Sequence, residues 1–425
     1  MGEDWKPMWK ELGLDLKAHD ELLSVLVKFY NDIFMSQKDR PQGMVYFDFV
    51  MSEVHGLRIK ELLDAKAQGR KVIATFCVYI PEEIGLAADA VQVGLCGGAE
   101  IGFNVAEKYL PRNTCSLIKS FFGFSQAKIC PYFEASDIVV GENTCDGKKK
   151  AYEIFKDLRN LYVMDLPNMK HDLGRELLKN EYLKYLQMIE KLTGKKITVE
   201  SLKKGIQISN EKRKAISRVM DLRKYNPTPI SGKDGLLINQ VAFYDDPIRF
   251  TASVNKIADE CEKRVKEHHG VASKETPRIL VSGCPMAVPN WKVPHVIETN
   301  GAVIVGEESC VGMRNIRNLV SDKGNTVDQL VDNLVDRYFK IDCAVFTPNK
   351  DRLDHIAQMA KDLKADGVVH YTLQFCTPYN MESHLVENTL SKAGIPLLKI
   401  ETDYSMEDMG QLNTRVQAFV EMIKK

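Results

Sequence analysis

Two short stretches of this sequence place a cysteine shortly after an apolar, β-branched run. Residues 139–147 read VVGENTCDG and residues 304–312 read IVGEESCVG, so Cys145 and Cys310 stand at matching positions. A glycine interrupts each run, which predicts that the cysteine lies just past the carboxyl end of a strand. In open α/β sheets that edge carries the chemistry. The repeat therefore predicts two thiols at comparable sheet edges.

Three more cysteines follow predicted strands. Cys77 ends KVIATF, Cys284 ends RILVSG and Cys376 ends GVVHYTLQF. Core cysteines placed independently would seldom all fall at strand ends, so a shared site is indicated. Cys115 stands at the predicted start of a helix, where the helix dipole and Lys119 are expected to lower its pKa.

Common catalytic and binding motifs are missing from this sequence. GENTCDGKKK has the wrong spacing for a phosphate-binding loop, and GLCGGAEIG lacks the dinucleotide fingerprint. His-Glu-x-x-His, Gly-x-Ser-x-Gly and Cys-x-x-Cys do not occur. The nine histidines do not cluster with the cysteines, so thiolates are the dominant ligand type. An all-thiolate iron–sulfur site therefore fits better than zinc or copper.

Four of the 10 cysteines are less clearly placed. Cys261 is predicted to be an ordinary helix residue. Cys343 lies early in an apolar run and is the first reserve among the ligands. Cys130 and Cys96 stay open as replacements for one ligand.

Composition restricts the class of protein. The 425 residues carry 58 basic and 58 acidic side chains, so the formal net charge is zero. The broad basic field that nucleic-acid binding needs is missing. No apolar stretch approaches the roughly 20 residues of a membrane span, and the start GEDWKPMWKEL shows no signal-peptide pattern. We expect a cytoplasmic protein that binds neither nucleic acid nor membranes.

Alternating strands and helices predict an α/β fold with two Rossmann-like units, each built on a parallel sheet. The predicted strands cover residues 71–76, 91–95, 137–141, 161–166, 278–282, 302–306, 341–346, 367–373 and 396–400. Four segments follow from this pattern: a helical N-terminal segment 1–68, a first α/β unit 69–170, a helical connecting layer 171–276 and a second α/β unit 277–425. A cleft between the two units is the expected place for a cofactor.

From about residue 71 the chain resembles the 2-hydroxyacyl-CoA dehydratase and benzoyl-CoA reductase superfamily, specifically its B-subunit-like members. The resemblance is carried by YIPEEIGLAADA, LPRNTCSLIKSFFGF, CPYFEASDIVVGENTCDGKKKAYE, ILVSGCP, VVHYTLQFC and the closing IPLLKIETDYS and GQLNTRVQAF. In that family three cysteines hold one [4Fe–4S] cubane. The matching positions here are Cys115, Cys145 and Cys376.

The surplus thiols resemble one branch of the family, the double-cubane cluster proteins, in which six cysteines hold two cubanes joined by a sulfide. Because Cys77, Cys284 and Cys310 are predicted at strand ends of the same sheet edges, we expect these three cysteines to hold the second cubane. Other residues expected beside the cofactor are Lys148, Gly141, Gly283 and Gly306.

The resemblance implies an ATP-dependent reductase of small, hard-to-reduce molecules that works at low potential as a homodimer. A separate iron–sulfur ATPase would act as its activator. An alternative is a subunit of a 2-hydroxyacyl-CoA dehydratase with one cubane, which works through a ketyl radical. A second alternative is an electron carrier without catalysis. Possible proton donors near the clusters are Glu82, Glu142 and Glu307, although Glu82 could simply favour the start of the helix after Pro81.

Overall fold

The strands form two separate parallel sheets in the computed structural model, which describes residues 4–95 and 97–424. The first unit has β1 Val72–Thr75, β2 Val91–Gly94, β3 Ile138–Glu142 and β4 Leu161–Met164. The second unit has β5 Arg278–Gly283, β6 Val303–Glu308, β7 Gly367–Leu373 and β8 Leu397–Thr402. The spatial orders are β2, β1, β3, β4 and β6, β5, β7, β8, so both sheets repeat one topology. The predicted fold class is confirmed.

Helices cover both sheets. Four precede the first strand: α1 Lys6–Glu11, α2 Leu16–Tyr30, α3 Met44–Ser52 and α4 Leu57–Ala67, with a π-helical turn at Asn31–Met35. The first unit adds α5 Glu82–Ala87, α6 Phe103–Ala106, α7 Ser116–Gln126, α8 Pro131–Ala135 and α9 Asp146–Phe155. The connecting layer consists of α10 Asp172–Thr193, α11 Val199–Leu222, α12 Gly232–Val241 and α13 Pro247–Lys266. The second unit adds α14 Lys292–Thr299, α15 Met313–Ile316, α16 Val327–Tyr338, α17 Lys350–Asp362, α18 Thr377–Lys392 and α19 Met409–Ile423.

The central strands are buried along their whole length, as strands of covered parallel sheets must be. Every residue of β1, β3, β5, β6 and β7 is buried. Parallel pairing brings the carboxyl ends of neighbouring strands to one edge of each sheet. None of the helices in the described part of the chain is long and apolar enough to span a membrane. The division into segments 1–68, 69–170, 171–276 and 277–425 stays a prediction.

Residues 341–346 do not form the strand that the sequence predicted, so that prediction is wrong. Ile341, Cys343 and Phe346 are buried, but this run pairs with no strand in the described chain. The Phe346 N–H donates to the Cys343 carbonyl at 3.2 Å and closes a turn. A buried loop can show the same spacing of apolar residues as a short strand, so the pattern alone was ambiguous.

Candidate metal centre

A cavity of about 710 Å³ lies at the carboxyl ends of strands from both sheets. Seven of the described cysteines line it: Cys77, Cys115, Cys145, Cys284, Cys310, Cys343 and Cys376. Five of these follow β1, β3, β5, β6 and β7, as the sequence predicted. Cys130 and Cys261 are buried in the core away from the cavity, and Cys96 lies outside the described residues.

Four of the cavity cysteines form a first thiol group, which consists of Cys115, Cys145, Cys284 and Cys376. The Cys376 thiol hydrogen-bonds with those of Cys115 and Cys284. Cys145 is close enough to Cys115 for the two to interact electrostatically. All four pack against one hydrophobic cluster, which also contains Tyr371.

The other three form a second thiol group, which consists of Cys77, Cys310 and Cys343. The thiols of Cys310 and Cys343 hydrogen-bond with each other, and Cys77 interacts electrostatically with both. This group packs against a different hydrophobic cluster. Two independent observations, thiol contacts and packing, therefore divide the cavity into the same two halves.

This division differs from the expected ligand sets in two residues. Cys284 lies with Cys376, not with Cys77 and Cys310. Its sulfur also accepts a hydrogen bond from the Leu373 N–H at 3.3 Å. Cys343, held only in reserve, completes the second thiol group. The sequence feature that could have identified Cys343 as a ligand is its position in an apolar run. The same run also predicts a strand, so it did not single out Cys343.

Helix N-termini surround the first thiol group. Cys115, Cys145 and Cys376 are the N-cap residues of α7, α9 and α18. The first backbone N–H groups of a helix have no partner inside it, and they carry partial positive charge. They therefore favour thiolates and sulfide at these three positions.

The expected low pKa of Cys115 is not found. The hydrogen bond with Cys376 and burial raise the pKa of the Cys115 thiol well above its usual value. Lys119 does not help, because its ammonium donates to Glu107 at 3.2 Å and to the Arg112 carbonyl at 3.1 Å. A bound cation would be needed to make this thiol a thiolate.

The second thiol group has full positive charges beside it. Arg314 donates from Nη1 to the Cys310 sulfur at 3.5 Å. The hydrogen bond from Cys310 holds the pKa of Cys343 below its usual value, and Arg314 acts in the same direction. The buried ammonium of Lys148 interacts electrostatically with Cys77, but burial and Glu142 raise the pKa of that thiol.

The three predicted proton donors fall in different places. Glu142 lines the cavity. Glu82 does not; it pairs with Lys212 and lines a second cavity of about 570 Å³. Glu307 is not part of the lining either, and its carboxylate accepts from Arg223 at 2.6 and 2.7 Å. Of the three carboxylates, only Glu142 therefore lies beside the cavity thiols, and a role as proton donor stays a prediction for all three.

The three glycines expected beside the cofactor are also absent from the lining of the cavity. Gly283 has φ of +128°, and a Cβ there would lie 1.9 Å from the Tyr371 carbonyl oxygen. A side chain at Gly141 would contact the Tyr152 ring, and one at Gly306 would contact Leu363. These glycines allow close packing at the strand ends, and their contact with a cofactor stays a prediction.

Lys148 does line the cavity, and it forms a buried ion pair with Glu142. Burial opposes its charge, but Glu142 outweighs burial and raises the pKa of Lys148 well above its usual value. The Thr144 hydroxyl donates to Glu142 Oε1 at 3.2 Å. Glu142 Oε2 and the Tyr152 hydroxyl are buried with no hydrogen-bond partner. The pair therefore keeps one ammonium and one free carboxylate oxygen beside the thiols.

Replacing Lys148 by methionine is expected to lower the free energy of unfolding by about 3 kcal/mol, because it leaves the Glu142 carboxylate buried without a cation. Urea unfolding under anaerobic conditions, followed by circular dichroism, measures this loss. The matched control is Lys149→Met, since Lys149 is half-exposed and 3.8 Å from an exposed Asp146. That control should change stability by about 0.5 kcal/mol or less. An equal loss in both variants would contradict the prediction.

The donor set fits a metal–sulfur cluster. No three His, Cys, Asp or Glu side chains in residues 4–95 and 97–424 are arranged to hold a single metal ion. A cubane takes thiolates spread around several irons rather than around one point. Soft thiols that line one cavity of about 710 Å³ therefore match the ligands of an iron–sulfur cluster in number and type.

Comparisons with known proteins find similar chains over most of this sequence. The family described as "2-hydroxyglutaryl-CoA dehydratase, D-component" matches residues 77–423. YjiM of Escherichia coli (strain K12) is 39% identical over 378 residues, 88% of this chain and 96% of YjiM. The (R)-phenyllactyl-CoA dehydratase beta subunit of Clostridium sporogenes is 29% identical, covering 84% of this chain and 92% of its own length. A benzoyl-CoA reductase subunit of Thauera aromatica is 23% identical, covering 84% and 91%.

Proposed function

The chain belongs to the 2-hydroxyglutaryl-CoA dehydratase D-component family, and from this premise we propose that it is an ATP-dependent, low-potential reductase with two linked cubanes. The observation that supports this proposal is the division of the seven cavity thiols into two groups. A subunit with one cubane needs three thiolates, whereas each half of this cavity offers at least three. The substrate would be a small molecule that is hard to reduce.

The ligand assignment follows the two groups. Cys115, Cys145 and Cys376 would hold the first cubane, in line with the family pattern. The second would be held by Cys77, Cys310 and Cys343. Cys284 is buried, its sulfur accepts a hydrogen bond from the Leu373 N–H, and the family pattern already supplies three ligands to the first cubane. We assign it a hydrogen-bonding role beside the first cubane, not a ligand role.

The clusters would supply electrons one at a time at low potential. The chain itself would hold the clusters and offset their negative charge. Helix N-termini would do so at the first thiol group, Arg314 at the second, and Lys148 beside Cys145 and Cys77 in both. Glu142 lies on the cavity wall with one free carboxylate oxygen, which could take up a proton from water and pass it to a reduced substrate.

A second candidate function is that of a subunit of a 2-hydroxyacyl-CoA dehydratase with one cubane. The relative from Clostridium sporogenes supports it, because that protein is named as a subunit of such an enzyme. In that case the second thiol group would carry no cluster, and the chain would pair with an unlike subunit and bind acyl-CoA. In the reductase the chain would form a homodimer in the cytoplasm and receive electrons from a separate iron–sulfur ATPase.

The experiment is an assay of iron and acid-labile sulfide on anaerobically purified protein, with electron paramagnetic resonance of the reduced state. About eight irons per chain, with no binding of acyl-CoA, would support the reductase. About four irons and measurable binding of acyl-CoA would support the dehydratase instead. ATP-dependent turnover of a small substrate with the activator would separate a reductase from a simple electron carrier.

A further inference from the structure

A buried guanidinium contacts two of the three sulfurs of the second thiol group, one directly and one through a phenol. Arg314 has no exposed side-chain surface. Its Nη1 lies 3.5 Å from the Cys310 sulfur and donates to the Tyr379 hydroxyl at 2.7 Å. That hydroxyl lies 3.9 Å from the Cys343 sulfur. The positive charge is therefore fixed at the edge of the cavity.

Surrounding carboxylates hold the guanidinium in this orientation. Glu308 accepts from Arg314 Nε at 2.8 Å and from Nη2 at 2.5 Å. The second oxygen of Glu308 accepts from Arg352 at 3.0 Å and from the Ser282 hydroxyl at 3.0 Å. Asp342 lies 3.9 Å from Arg314 Nε. With its other edge bound to Glu308, Arg314 keeps Nη1 directed at the sulfur.

The first thiol group has a different environment. It has helix N-termini beside three of its cysteines, and the Lys148 ammonium, which is paired with Glu142, interacts with Cys145 here as it does with Cys77 in the second group, so Lys148 does not distinguish the two halves. A helix N-terminus carries about half an elementary charge, whereas a guanidinium carries a full one. Charge interactions are also stronger away from water. The two halves of the cavity therefore differ in how strongly they stabilise added negative charge.

Resting on the proposed function, we propose that Arg314 raises the reduction potential of the cubane held by the second thiol group. Reduction adds one negative charge, and a fixed cation beside the sulfur ligands stabilises the reduced form more than the oxidised form. Added negative charge would then be favoured at the side of the cavity that Cys77, Cys310 and Cys343 form. Arg314 acts through the cluster ligands and is a positioning residue.

The test is a potentiometric titration of the anaerobic holoprotein, followed by electron paramagnetic resonance, with wild type compared with Arg314→Gln. We expect the variant to keep its iron while one couple becomes at least tenfold harder to reduce, which is a fall of about 59 mV for a one-electron couple. The other couple should stay in place. No shift, or an equal shift of both couples, would overturn the proposal.

The matched control is Arg223→Gln. Arg223 is also fully buried and bonds Glu307, the neighbour of Glu308 on β6, but it contacts no cavity thiol in the described structure. Arg223→Gln should leave both reduction potentials unchanged. A shift as large as that of Arg314→Gln would overturn the proposal. If Arg314→Gln loses iron, the titration is repeated with Arg314→Lys. The shorter lysine cation should lower the same reduction potential by less than the glutamine variant would. An unchanged potential in Arg314→Lys would overturn the proposal.

The iron content of the wild type distinguishes a failure of the proposed function from a failure of the inference about Arg314. About four irons and a single couple would reject the double-cubane function and this inference with it. About eight irons with unmoved potentials in the Arg314 variants would reject the inference alone.

Discussion

Replacing Cys343 by serine is expected to lower the iron content from about eight to about four per chain, because it removes one of three thiolates that hold the second cubane. Serine is close to cysteine in size, so the buried loop that contains residue 343 should keep its packing. Iron and sulfide analysis of anaerobically purified protein measures the effect. The electron paramagnetic resonance signal of the first cubane should persist, since the first thiol group packs against a separate hydrophobic cluster.

Two serine variants serve as controls. Cys261→Ser changes a buried helix residue that does not line the cavity and should keep all the iron. Cys284→Ser should also keep it, because the ligands of the first cubane are assigned to the three other members of its group. If Cys284→Ser lost half of the iron and Cys343→Ser lost none, the division of ligands taken from the sequence would be right and ours wrong.

Replacing Gly283 by alanine is expected to lower the free energy of unfolding by about 4 kcal/mol or more and to reduce the cluster content. A Cβ at this position would lie 1.9 Å from the Tyr371 carbonyl oxygen, which accepts the Cys284 N–H at 2.9 Å. Relief of that clash requires β5 and β7 to separate at the edge of the cavity. The φ of +128° adds strain for any residue with a side chain. Anaerobic urea unfolding and iron analysis measure the two effects.

Gly394→Ala is the control that measures backbone strain at a positive φ without a steric clash. Gly394 has a φ of +68°, but nothing lies within 4 Å of an added Cβ. Its substitution should cost about 1 kcal/mol from the backbone conformation alone and leave the iron content unchanged. If the two alanine variants were equally stable, the close approach of β5 and β7 at Gly283 would have no energetic role.

Much of the architecture could be predicted from local patterns. Runs such as RILVSG are short, β-branched and bounded by a glycine, and local chain stiffness and burial decide such strands. Because parallel strands end at one edge, the placement of Cys284 and Cys310 beside a cavity followed from the strand predictions alone. The strand predicted at residues 341–346 was wrong because a buried loop can have the same spacing of apolar residues as a strand.

The sequence by itself determined the α/β class, the repeat of two similar units and a cavity lined by thiols at strand ends, since these depend on short-range spacing. Only the tertiary structure decided which thiols meet. Cys284 and Cys376 follow the neighbouring strands β5 and β7, whereas Cys310 follows the edge strand β6 and meets a loop cysteine, Cys343. Ligand grouping depends on strand order and on loop packing, and both are long-range properties of the folded chain that no local pattern encodes.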